Sequence, residues 1–125
     1  MGLEDQVVSL KLAKKLKELG VKQESEFVWI DRMINETETN ENRIIVLWKD
    51  VLSEWEPSCE ILCCAFTPAE LGDILPENIF YKKMDGINYA CVSYPENYPE
   101  QIAETEADAR AKMLIYLLED GLIKI

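Results

Sequence analysis

Residues 105–122 read TEADARAKMLIYLLEDGL, and the order of residue types in this stretch sets the frame for the rest of the chain. Thr105 is a good N-cap. Asp108, three residues later, completes a capping box, and with Glu106 it places negative charge in the first turn, where the helix dipole favours it. Gly121 suits the left-handed position after a helix, with Leu122 placed to fold back towards Leu117. The spacing predicts a helix from Thr105 to Asp120. Ala107, Ala111, Leu114 and Leu118 make one stripe along it, flanked by Met113, Ile115 and Leu117. Small residues at its start permit close approach to a sheet, and large ones at its end fill space. The stripe is expected to close one face of a sheet. If that face is covered by something else, the same residues are candidates for a dimer contact.

Upstream, Thr67-Pro68-Ala69-Glu70 is a second capping box with proline at the first helical position. Phe66 and Leu71 occupy the two positions of a hydrophobic staple, and Pro76 limits this helix to a short one. The first helix is expected from Asp5 or Ser9 to Leu19, on Leu12, Leu16 and Leu19, with Gly20 and Val21 repeating the glycine ending. Glu26 to Ile34 and Arg43 to Lys49 are rich in β-branched and aromatic residues and read as an antiparallel hairpin, across which Trp29 and Trp48 could meet. They flank the polar loop Asn35 to Asn42. Asp50 to Glu60 shows no clear period, and Ile61 to Phe66 is apolar but short. Asn78 to Met84 and Ile87 to Tyr94 form a second hairpin around Asp85-Gly86, which favours a two-residue type I′ turn. That turn pairs Lys82 with Tyr89, Phe80 with Cys91 and Tyr81 with Ala90. Tyr94 to Gln101, with two prolines, reads as an extended linker.

These elements predict one α+β domain over residues 1–125, in the order α-β-β-(β)-α-β-β-α. It has an antiparallel sheet of four to five strands, built from two hairpins and packed by two longer helices and one short helix. The composition agrees: 48% of residues are hydrophobic and 30% charged, as in folded globular chains. No apolar run approaches a membrane span. Early acids at Glu4 and Asp5 do not make a secretory signal, so a cytoplasmic, unprocessed protein is expected.

The net charge is −11, unevenly placed. Residues 1–22 hold five lysines and three acids, net +2, whereas the remainder holds eight bases and twenty-one acids, net −13. A basic first helix on an acidic body can dock to a partner or to another copy. The overall sign disfavours nucleic-acid binding, which needs lysine and arginine on phosphates.

Three readings bear on chemistry. There is no histidine, which removes imidazole catalysis and the commonest metal ligand. Cys59, Cys63, Cys64 and Cys91 lie in or beside apolar segments and are expected as reduced, packed thiols, because the second of the two short Cys-x₂₋₄-Cys knuckles usual in a structural zinc site is missing. Glu54, Glu56, Glu104, Glu106 and Asp108 could pair by chance, with the last two already placed by capping. No cofactor or metal ligand set is therefore expected, and no catalytic residue is assigned. Tyr81 and Tyr89, on the second hairpin, join Ala107, Ala111, Leu114 and Leu118 as candidate interface residues.

Taken together, LAKKLKELG (12–20), ESEFVWI (24–30), AFTPAELGDILP (65–76), the tyrosine-containing hairpin and ETEADARAKMLIYLLEDGLI (104–123) resemble a family of small phage and prophage proteins. The resemblance implies a single-domain α+β fold and a phage or prophage origin, and it carries no catalytic residue. The expectation is a non-enzymatic accessory protein that binds another protein or itself as a homodimer, without nucleic acid or membrane. Two alternatives are an acidic mimic of nucleic acid that inhibits a host DNA-binding protein, and a small carboxylate-dependent enzyme.

Overall fold

A computed structural model of the chain describes residues 6–32, 43–47, 59–77, 79–83, 89–93 and 98–123. The described elements are α1 (Leu10–Glu18), β1 (Phe27–Arg32), β2 (Arg43–Leu47), β3 (Cys59–Cys64), α2 (Pro68–Ile74), β4 (Ile79–Lys83), β5 (Tyr89–Ser93), β6 (Gln101–Ala103) and α3 (Glu106–Glu119). The fold is α+β with antiparallel strands, as the sequence implies. The strands divide between two three-stranded sheets, ordered β2-β1-β3 and β4-β5-β6.

The helix ends follow the sequence closely. Gly20 and Gly121 both take positive φ, at 90° and 68°. Behind them, the Val21 N–H donates to the Leu16 carbonyl and the Leu122 N–H to the Leu117 carbonyl, so both helices close in Schellman motifs. At α2 the capping box is complete: the Glu70 N–H donates to Thr67 Oγ1 and the Thr67 N–H to Glu70 Oε1. Glu70 does more than cap. It also accepts from the Ser25 hydroxyl at 2.7 Å and the Glu26 N–H at 3.0 Å, tying the approach to β1 onto α2.

The start of α3 departs from expectation in an informative way. Thr105 Oγ1 accepts from the Asp108 N–H, but the reciprocal half of the box is not made. The Asp108 carboxylate instead accepts the Ser9 N–H, 2.7 Å away at the start of α1. Ser9 makes no side-chain cap of its own, so an acid of α3 satisfies one of the orphan donors of α1. This bond brings the first turns of the two helices together.

In the first sheet β1 is central. Trp29 lies opposite Ile45 and Cys63, and a register shift leaves Leu62 as an extra residue on β3. A bulge leaves its residue out of the ladder; the Leu62 carbonyl takes the Lys17 ammonium of α1 at 3.0 Å. Trp48, the partner considered for Trp29, lies outside the described residues. Trp29 itself is buried and donates from Nε1 to the Val8 carbonyl.

The second hairpin pairs Lys83 with Tyr89, Lys82 with Ala90, Tyr81 with Cys91, Phe80 with Val92 and Ile79 with Ser93. This is one residue away from the register that an in-register Asp85-Gly86 turn imposes; those two residues lie outside the described set. A slip of one residue exchanges the faces of one strand relative to the other, so Phe80 leaves the Cys91 face. A strand not anticipated begins at the end of the linker: β6 pairs with β5 through Cys91↔Gln101, Ala90↔Ile102 and Tyr89↔Ala103.

The core lies around α3, which packs on β5, β6, α2 and α1. Its buried residues are Ala107, Ala109, Ala111, Met113, Leu114 and Leu117, well beyond one stripe. A helix apolar on most sides is one that other elements surround. Alanines let strands and α2 approach on several sides. Gly72 of α2 serves the same end, since a Cβ there would meet the Arg110 guanidinium, which donates to the Pro68 carbonyl at 3.0 Å. No helix among the described residues is long and apolar enough to cross a membrane.

Candidate functional site

Alternation along the strands assigns the two faces of the second sheet. Cys91, Ser93 and Ala103 are buried on the face towards α3. Phe80, Val92, Ala90 and Ile102 share the other face, because Phe80 is opposite Val92 and Ala90 opposite Ile102. Phe80 is 53% exposed and Ile102 43%, while Ala90 between them is fully covered. Opposite and diagonal partners on one sheet face lie within side-chain reach, so these residues form one apolar strip across all three strands. Lys82, opposite Ala90, lies on this face too, and its ammonium reaches Glu100 at 3.9 Å, so an exposed ion pair spans the face from β4 to the start of β6. The Lys112 ammonium donates to the Ile102 carbonyl at 2.8 Å, so a lysine of α3 occupies the edge of β6.

A groove of about 1100 Å³ runs between α1 and α3. Each helix contributes residues spaced i, i+3, i+4, i+7, which is one helical face. From α1 these are Lys11, Lys14, Lys15 and Glu18; from α3 they are Lys112, Ile115, Tyr116 and Glu119. Leu12 and the buried Trp29 add apolar surface. Tyr98 stacks obliquely on Tyr116, with ring centroids 6.3 Å apart, and so steadies one wall. Both helices thus carry lysine early and an acid late along the groove.

The described cysteines are packed inside the fold. Cys63, Cys64 and Cys91 are free and buried. Burial pushes the Cys64 and Cys91 thiols up to about 11, the neighbouring Cys63 adding to the first, and Arg110 opposing the second. Burial raises Cys63 as well, against the pull of Lys17 and Lys14. At neutral pH these are thiols, whereas a nucleophile or a metal ligand needs the thiolate. The side chain of Cys59 lies outside the described set. Among the described residues no three acids or cysteines gather into a metal site. Burial also raises the Asp108 carboxyl, with the Ser9 hydrogen bond opposing it.

Of the sequence-derived interface candidates, three are interior. Ala107, Ala111 and Leu114 are at most 1% exposed within their own chain, because α3 is surrounded; Leu118 is half-buried against the same core. Tyr89 is half-buried there too, and Tyr81 pairs with Cys91 in the ladder, its side chain outside the described set. Sequence reading missed Phe80 and Ile102, the first through the register and the second through β6. The lysines of α1 were legible as a basic first helix, whereas the groove face of α3, Lys112, Ile115, Tyr116 and Glu119, was not singled out.

No family model matches the chain, and comparison with curated proteins and with solved structures finds no match.

Proposed function

We propose that this is a non-enzymatic accessory protein, of phage or prophage origin, that works by protein association, and that its first partner is a second copy of itself. The observation that carries the reading is the apolar strip on the outer face of the second sheet, with Phe80 and Ile102 each about half exposed. The missing histidine and the neutral buried thiols support a role without covalent chemistry.

Magnitudes set the strength of the contact. Full burial of such a side chain contributes about 1.5–3 kcal/mol, so covering the exposed halves of four of them across a two-fold axis contributes roughly 4 kcal/mol. Association costs at least that much before other contacts help. The dimer is therefore weak and concentration-dependent, and copies of charge −11 attract better once salt screens them. Light scattering over a concentration series, for the native chain and for Phe80→Lys with Ile102→Lys, tests this. The native chain associates increasingly with concentration and with salt, and the double variant stays monomeric with an unchanged circular dichroism spectrum. A native chain that is monomeric throughout rules out self-association by this face.

A further inference from the structure

We infer that the groove between α1 and α3 is a second binding site, separate from the sheet face, whose occupant is an acidic amphipathic helix of a partner protein. Its size, its period and its charge each point there. A volume of about 1100 Å³ exceeds that of ordinary small-molecule pockets. Two turns of helix, roughly 12 Å long and about 10 Å across, occupy on the order of 1000 Å³. Both walls are helix faces at i, i+3, i+4, i+7 spacing, the geometry into which a third helix lays an apolar stripe. Ile115, Tyr116 and Leu12 supply the apolar contacts for that stripe.

Charge selects the ligand. Lys11, Lys14, Lys15 and Lys112 line the groove against Glu18, Glu119 and Asp120, in a chain whose net charge is −11. Lys11 and Lys14 are exposed. At physiological salt the acids elsewhere on the molecule are screened beyond about 8 Å, and a ligand in the groove meets the lysines. The hydrogen bond from Ser9 to Asp108 holds the early ends of both helices together, so the lysine-bearing turns lie side by side. The occupant places its carboxylates there and its apolar stripe over Ile115 and Tyr116.

The test uses a fluorescein-labelled 16-residue synthetic peptide, about four turns of helix, with leucines on one helical stripe and glutamates flanking it. Its twin carries lysine at every glutamate position. Anisotropy is read with the full chain, and again with the Phe80→Lys, Ile102→Lys double variant, so that loss of self-association does not mask the result. The acidic peptide binds both forms, binding weakens with added salt, and the lysine twin does not bind. Lys11→Glu with Lys14→Glu weakens the acidic peptide at least tenfold, while Lys11→Arg with Lys14→Arg leaves it unchanged. Absence of binding, equal binding of the twin, or indifference to the charge reversal overturns the proposal. So does saturable binding of dodecanoate with no binding of the peptide, which makes the groove a site for an anionic amphiphile. A shift in oligomeric state on Lys11→Glu with Lys14→Glu overturns it in favour of a second copy.

Discussion

The first and second sheets handle their two faces differently. Along β1, Val28, Trp29 and Ile30 are all buried, yet only Trp29 belongs to the core that surrounds α3. Alternate residues of a strand point to opposite faces, so β1, the central strand of the first sheet, is covered on both sides. Along β5, Cys91 and Ser93 are buried towards α3, but the opposite face ends in the half-exposed Phe80 and Ile102. An antiparallel sheet commonly leaves one face to water and makes it polar. Here that face mixes the half-exposed Phe80 and Ile102 with the Lys82–Glu100 ion pair, which is the contrast with the first sheet.

The difference is open to a direct stability test. Ile30→Ala removes a side chain that is 5% exposed and is expected to cost about 2–5 kcal/mol in urea unfolding. Phe80→Ala removes a larger side chain from the second sheet, but at half exposure its cost in the dilute monomer stays below about 1.5 kcal/mol. The inversion of the usual order, in which phenylalanine loss is the costlier, is what distinguishes the sheets. Equal costs would mean that the outer face of the second sheet is as covered as the first.

The seam between the two halves gives a smaller, pH-dependent effect. Asp108 of α3, which packs on the second sheet, holds Ser9 at the start of α1, which packs beside β3 of the first. Its folded carboxyl is raised above the ordinary value of 3.8, so it keeps its proton to higher pH than in the unfolded chain. Unfolding then releases a proton in that window, and this group's contribution to stability falls as pH rises through it. Asp108→Asn keeps an acceptor for the Ser9 N–H but cannot titrate. The stability of the native chain relative to the variant is expected to decline as pH rises from 3.8 through the raised value and to stay level above it. A flat difference would show that the seam does not sense the carboxyl charge.

Much of this architecture is written locally in the sequence. The two glycine endings and the Thr67–Glu70 box depend on a few adjacent residues and stand as read. What local reading could not reach depended on pairing at a distance. The favoured Asp85-Gly86 turn suggested one register for the second hairpin, whereas the ladder adopts the neighbouring one, and Phe80 changes face as a result. β6 is three residues long, too short for a period, and is recognisable only by its partner β5. Ala107, Ala111 and Leu114 looked like one stripe because Ala109 and Met113 interleave with them as equally apolar residues on a different side. That is the pattern of a surrounded helix, and it explains why the expected contact residues are interior. Asp108 looked like a helix cap, and only the fold shows that its carboxylate belongs to another helix.

The most direct measurement is the nitrogen-15 amide spectrum of the native chain on serial dilution, at low and at high salt. Chemical-shift changes concentrated at Phe80, Ala90, Val92 and Ile102, larger at high salt, are expected if the outer face of the second sheet is where two copies meet. An unchanged spectrum, or changes centred on the groove residues Lys14 and Tyr116, would contradict that assignment.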